Sequence, residues 1–272
     1  MTISFPIDPF LQPICAAVSD GVPVVVRAEP GAGKTTRVPT ALLHATTKRI
    51  YVLEPRRLAA RMAATFVATQ LGSEVGKAVG YRIRFENKTS SSTRIVFMTE
   101  GVFMRQMQDD PRLAEAGIVV IDEFHERHLD TDVALAFASE LHRSRALGLV
   151  VMSATLDTSA LVAYLASARV FDIPGRVFPV VKKYLPPDQG ETLERHVRRA
   201  VQDVLVDPRS QGDVLVFLPG SREIQAAATA LSGIEDRLEI LPLTASTPWQ
   251  EQARVFAPSQ RRRVILATNV AE

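Results

Sequence analysis

The chemistry of this sequence is concentrated in one stretch, Ala28-Glu29-Pro30-Gly31-Ala32-Gly33-Lys34-Thr35-Thr36. Its order, a small residue, four positions, then Gly-Lys-Thr, fits a phosphate-binding loop. Gly31 and Gly33 let the backbone turn, so that successive N–H groups converge on phosphate oxygens. Lys34 brings a point charge to the β- and γ-phosphates, and Thr35 offers its hydroxyl to Mg²⁺. A helix starting at Gly33 or Lys34 adds its positive N-terminal end. A Gly-rich turn without a ligand is the plain alternative. It has no need of a complete Gly-Lys-Thr-Thr ending after the β-branched run Val22 to Val26.

A second reactive pair, Asp122-Glu123, follows the apolar run Ile118 to Ile121. Asp122 can hold Mg²⁺ directly or through water, and Glu123 can orient and deprotonate a water that attacks the γ-phosphate. Two adjacent acids alone would read as a solvated turn. Paired with Lys34 and Thr35, at the end of a second buried strand, they read as a site. His125 and His128 have His-x-x-His rather than His-Glu-x-x-His spacing, and no further ligand cluster accompanies them, which disfavours a metalloprotease. His125 is expected to bond across to a neighbouring loop and to report the nucleotide state.

The elements that must position these groups alternate. Apolar strands are expected at Val22–Val26, Ile50–Leu53, Val79–Phe85, Arg94–Met98, Ile118–Ile121 and Leu149–Met152. Helices are expected after the phosphate loop and over Leu58–Leu71, Val102–Met107 and Asp132–His142. One more lies within residues 1–20, where Asp8 and Pro9 read as breakers. Polar motifs fall at strand C-terminal ends, as in a parallel α/β sheet whose ligands bind there. Pro174-Gly175 reads as a boundary, giving domains 1–174 and 175–272. In the second domain strands are expected at Val177–Tyr184, Val214–Leu218, Leu238–Leu241 and Arg263–Thr268. Helices are expected at Leu193–Leu205, Glu223–Leu231 and Trp249–Phe256. The pattern stops just after a strand, so the second sheet is expected to be incomplete at its C-terminal side.

Composition narrows the class. The 272 residues are 46% hydrophobic and 23% charged, as expected of a packed soluble chain, and no apolar run reaches membrane-spanning length. No basic segment followed by an apolar core opens the sequence, and Cys15 is alone, so a cytoplasmic location is expected. The net charge of +2 argues neither for nor against nucleic acid. Its cations are mostly Arg, with Lys only at 34, 48, 77, 88, 182 and 183.

Taken in order, the motifs resemble the bacterial HrpB-type branch of the DEAH-box helicases, in helicase superfamily two. They are the phosphate loop with Thr35-Thr36, Glu-Pro-Arg-Arg (54–57), Thr99-Glu100-Gly101, Asp-Glu-Phe-His-Glu-Arg (122–127) and Ser-Ala-Thr (153–155). Phe217-Leu218-Pro219-Gly220 and Ala-Thr-Asn-Val-Ala-Glu (267–272) complete the series. The resemblance covers essentially the whole chain. It implies two RecA-like parallel-sheet domains in tandem, with ATP and Mg²⁺ in the cleft between them. Single-stranded RNA or DNA would cross the opposite face through sequence-independent backbone contacts.

By the same resemblance Gly31, Ala32, Gly33, Lys34, Thr35 and Thr36 would hold the nucleotide phosphates and Mg²⁺, with Asp122, Glu123 and His125 completing the catalytic set. Arg56, Thr99, Ser221 or Arg222, and Thr268 would touch the nucleic-acid backbone. Ser153 and Thr155 would couple nucleotide state to movement, and Phe256 would stack on the adenine. The chain departs from the family at Phe66, where relatives present an Arg against the other face of the base. Leu241 to Trp249 also lacks the usual Tyr-Gly. The Gln-x-x-Gly-Arg-x-Gly-Arg segment that carries the arginine fingers is absent from these residues. A helicase core that hydrolyses weakly is therefore expected, with a non-catalytic, nucleotide-gated nucleic-acid clamp as the alternative. A transporter-type ATPase lacks support, since Ser153-Ala154-Thr155 has no place in one and no transporter signature is present.

Overall fold

The computed structural model describes residues 4–154, 158–175, 180–233 and 238–271. The chain divides into two compact units, Met1–Phe178 and Pro179–Glu272.

The first unit is a single mixed sheet of β1 (Val24–Ala28), β2 (Arg49–Glu54), β3 (Val79–Ile83), β4 (Glu86–Lys88), β5 (Ile95–Thr99), β6 (Ala116–Ile121), β7 (Gly148–Ser153) and β8 (Arg169–Ile173). The spatial order is β4-β3-β5-β2-β6-β7-β1-β8, and all pairings are parallel except β3 with β4. Among the described residues six α-helices cover it: α1 (Leu11–Ser19), α2 (Lys34–Ala41), α3 (Arg57–Gln70), α4 (Glu100–Asp109), α5 (Leu129–Arg145) and α6 (Ser159–Leu165).

The apolar strand runs have a simple cause. Side chains alternate across a strand, and here both faces are covered by helices, so both sets must be apolar. Val24, Val26, Ile50, Val52, Ile118, Val120, Val150 and Met152 pack with α1, α2 and α3 on one face. Their neighbours Val25, Tyr51, Leu53, Val119, Ile121, Leu149 and Val151 pack with α4, α5 and α6 on the other. This double burial fixes the register. It brings Leu53 opposite Ile121, Glu54 opposite Thr99, and Arg27 opposite Ser153, so the polar strand ends share one edge of the sheet.

Two expectations need correction. The strand expected at Val79–Phe85 is present but ends at Ile83. The chain turns at Phe85, whose φ is +67°, and returns as β4, while Gly80 leaves room for the Lys88 carbonyl that a Cβ would strike. Asp8 and Pro9 stand, as expected, between the entry segment and the one N-terminal helix, which starts at Leu11. They form a 3-10 turn leading into it, since proline at a first helical position removes no needed donor, and Asp8 Oδ2 accepts from the Phe5 N–H at 2.9 Å. No strand occupies 180–184, and the rest of the strand expected from Val177 lies outside the described residues. The structure also adds α6 and β8, which the sequence reading left unassigned.

The second unit contains α7 (Leu193–Val206), β9 (Val214–Phe217), α8 (Ser221–Leu231), β10 (Leu238–Leu243), α9 (Trp249–Arg254) and β11 (Arg262–Ala267). Its sheet is parallel in the order β10-β11-β9. Val197 and Val201 of α7 and Ile224, Ala227 and Leu231 of α8 pack on Leu238, Val264 and Leu266. Leu215 and Phe217, on the other face of β9, are exposed. The architecture is the expected α/β one, with two RecA-like parallel-sheet units in tandem. No helix among the described residues is long and apolar enough to cross a membrane.

Candidate functional site

β1 delivers the chain into the loop Glu29–Gly33, and α2 begins at Lys34. The loop can close this tightly because Gly31 and Gly33 take φ values of +80° and +92°, a region that costs other residues roughly 1–2 kcal/mol. Gly33 is also crowded, since a Cβ there would sit 3.0 Å from the Phe5 side chain. Lys34 is buried, and its Nζ donates to the Ala28 carbonyl at 2.6 Å, spanning the loop from end to start. Thr36 Oγ1 lies 3.4 Å from the Gly33 carbonyl.

Thr35 Oγ1 donates to Asp122 Oδ2 at 2.5 Å, and Asp122 Oδ1 accepts the Glu123 N–H at 2.8 Å. Asp122 is fully buried at the tip of β6. Burial, then the neighbouring Glu123 carboxylate, pushes its pKa up to about 7, against the opposing pull of Thr35 and Lys34. Glu54, at the tip of β2, is buried with them, and its Oε1 has no hydrogen-bond partner. Burial, then Asp122 and Glu123, drives its pKa well above the carboxylate range. The phosphate loop, Phe5, Phe66 and Glu123 together line a cavity of about 320 Å³.

Glu123 leaves β6 in the left-handed conformation, φ +48°, and Arg127 leaves the following 3-10 turn at φ +51°. The turn carries His125, whose Nδ1 lies 3.3 Å from both the Ala154 N–H and Glu123 Oε2. An unprotonated Nδ1 accepts from Ala154, so His125 reaches the strand end that holds Ser153. Ser153 is buried. Thr155 lies outside the described residues.

Arg56 stands at the N-cap position of α3, just past β2, and Thr99, the last residue of β5, stands at that of α4, both in extended conformation. Arg56 Nη2 donates to Glu126 Oε2 at 3.0 Å. In the second unit Ser221 and Arg222 open α8, Thr268 follows β11, and Ala267 pairs with Phe217, which gathers these residues at the C-terminal edge of the smaller sheet. Phe256 follows α9 and is exposed.

Phe5, Glu54 and Glu126 are additions to the reading from sequence. Phe5 carries no motif at all. Glu54 and Glu126 sit inside recognised motifs, and the pairing of β2 with β6 brings the end of β2 and the turn after β6 to the same edge of the sheet.

The fold and the placement of these motifs define an α/β protein of the helicase type, and the chain belongs to the DEAD/DEAH box helicase family, whose model matches residues 11–162. It is 38% identical over 276 residues to the ATP-dependent RNA helicase HrpB of Escherichia coli, covering 99% of this chain and 34% of that protein. It is 36% identical over 277 residues to E. coli HrpA, covering 99% of this chain and 21% of HrpA. The crystal structure of the E. coli DEAH/RHA helicase HrpB superposes with a TM-score of 0.87 at 37% identity, over 98% of this chain and 35% of that one. The chain thus spans about a fifth to a third of the length of these relatives.

Proposed function

We propose that this chain is the ATP-dependent core of a nucleic-acid helicase, coupling ATP hydrolysis to movement on single-stranded RNA or DNA. The hydrogen bond from Thr35 to Asp122, beside Glu123, carries this reading. It brings a hydroxyl, a carboxylate and a potential base together at the mouth of a phosphate loop. Thr35 Oγ1 and Asp122 Oδ2 are hard oxygen donors that fit Mg²⁺, which takes one or two protein oxygens and completes its shell with water and substrate phosphate. Bound there, Mg²⁺ would neutralise charge on the phosphates.

The backbone of Gly31, Ala32 and Gly33 would receive the phosphates, with Thr36 at the helix start, and Lys34 would exchange the Ala28 carbonyl for phosphate oxygens. Glu123 would hold and deprotonate the attacking water, and His125, accepting from Ala154, would tie the turn that carries Glu123 to the end of β7. Ser153 and Thr155 would pass the nucleotide state onward. Arg56, Thr99, Ser221, Arg222 and Thr268 would meet the nucleic-acid backbone, and Phe256 the adenine. Residues 1–174 form the nucleotide-binding domain in this reading and 175–272 the second RecA-like domain, working in the cytoplasm. The names of the relatives, ATP-dependent RNA helicases, favour RNA.

An arginine finger contributes about 10³–10⁵ in rate in related enzymes. These 272 residues contain no Gln-x-x-Gly-Arg-x-Gly-Arg segment. The isolated chain is therefore expected to bind ATP, turn it over slowly and leave duplexes intact. The same feature supports a second reading, a nucleotide-gated clamp. Glu123→Gln separates the two. In an enzyme it retains ATP binding and lowers hydrolysis by roughly 10²–10⁴-fold. An unchanged rate would support the clamp.

A further inference from the structure

The turn that carries Glu123 also carries an acid that the nucleotide site does not use. Glu126 closes this turn, its backbone N–H bonded to the Glu123 carbonyl at 3.0 Å. Its Oε2 receives Arg56 Nη2 at 3.0 Å, with the two side chains 17% and 21% exposed. On its other side, His128 Nε2 stands 3.8 Å from the same oxygen, while His128 Nδ1 stands 3.9 Å from Glu100 Oε2. Two residues of one tight turn, Phe124 and His125, therefore separate the candidate base from the carboxylate that holds Arg56.

We propose that Glu126 is a positioning residue that holds the Arg56 guanidinium against the acidic turn and competes for it with a nucleic-acid phosphate. This rests on the reading that Arg56 meets the nucleic-acid backbone. A carboxylate and a phosphate ask for the same fork of N–H donors, so full engagement of one weakens the other. The pair is largely shielded from water, and bulk salt screens it less than an exposed pair. The turn is flanked by left-handed Glu123 and Arg127, so it has little freedom to move one acid without the other. A phosphate that draws Arg56 from Glu126 acts on the turn that places Glu123, and by linkage the position of Glu123 acts back on the phosphate.

The test is binding of the whole chain to fluorescent single-stranded oligouridylate across a salt series, for Glu126→Gln, Arg56→Ala and the double variant. Glu126→Gln keeps the size of the side chain and removes its charge. It should tighten binding by about two- to fivefold, the range of a partly screened ion pair. It should also steepen the dependence of log K on log salt by about 0.7, one further cation reaching phosphate. Glu126→Asp retains the charge and should bind as the parent does, which separates loss of charge from damage to the turn. In the Arg56→Ala background Glu126→Gln should change nothing. Unchanged or weaker binding by Glu126→Gln, or equal tightening without Arg56, overturns the proposal. If Arg56→Ala alone binds RNA like the parent, the reading of Arg56 as a backbone contact fails, and the competition fails with it.

Discussion

Thr35 Oγ1 donates to Asp122 Oδ2 at 2.5 Å, tying the start of α2 to the tip of β6. The bond satisfies a carboxylate that burial has already made costly to ionise. Thr35→Val keeps the shape and removes the donor. Leaving a buried acceptor unsatisfied should cost about 1–3 kcal/mol of stability, read by denaturant unfolding. Thr35→Ser should recover most of it, and only the serine variant should retain Mg²⁺-dependent ATP binding.

Gly31 and Gly33 should respond differently to alanine. A Cβ on Gly31 meets open space, so only its positive φ resists, about 1–2 kcal/mol. Gly33 has the same torsional problem and also the Phe5 side chain at 3.0 Å. Gly33→Ala should be the more destabilising substitution. Adding Phe5→Ala should return the steric part, giving a non-additive double variant in thermal unfolding.

Phe66 lines the phosphate-loop cavity with Phe5 and is half exposed there. If it supplies a stacking face for the base, Phe66→Ala should weaken ATP binding by roughly 1–3 kcal/mol, measured by titration calorimetry. Inorganic triphosphate, which has no base, should bind both proteins alike.

Much of the site was legible because its chemistry is local in sequence. Lys34 and Thr35 sit in one loop, and Asp122 and Glu123 are adjacent, so residue type and strand context sufficed to single them out. The main sheet was legible because double burial makes strands such as Ile118 to Ile121 uniformly apolar. What escaped depends on distant approach. The Arg56–Glu126 pair joins residues in different motifs through the register of β2 and β6. Phe5 reaches Gly33 from a segment with no pattern. The hairpin at Phe85 was hidden because Val79 to Phe85 alternates as a single strand would.

The second unit should be sensitive to acid. Arg199, then the Asp188 backbone N–H, holds the Glu191 carboxyl well below its ordinary 4.5. Arg209, through its side chain and then its backbone N–H, with Lys183, holds Asp207 below 3.8. A depressed folded pKa contributes stability that is present above the unfolded value and lost as pH falls through the folded one. Melting of the parent should therefore decline as pH drops below about 4.5, from Glu191 first, and continue downward with Asp207. Glu191→Gln should flatten the upper part of that decline, and added salt should shrink it.

Lys34 and the loop around it should bind a nucleoside triphosphate. Equilibrium binding of ATP with Mg²⁺, beside Lys34→Ala, tests it most directly, with hydrolysis followed in the presence and absence of single-stranded RNA. ATP binding should disappear with Lys34→Ala, and turnover by the parent should be slow. ATP binding that is absent from the parent, or that survives Lys34→Ala unchanged, would contradict it.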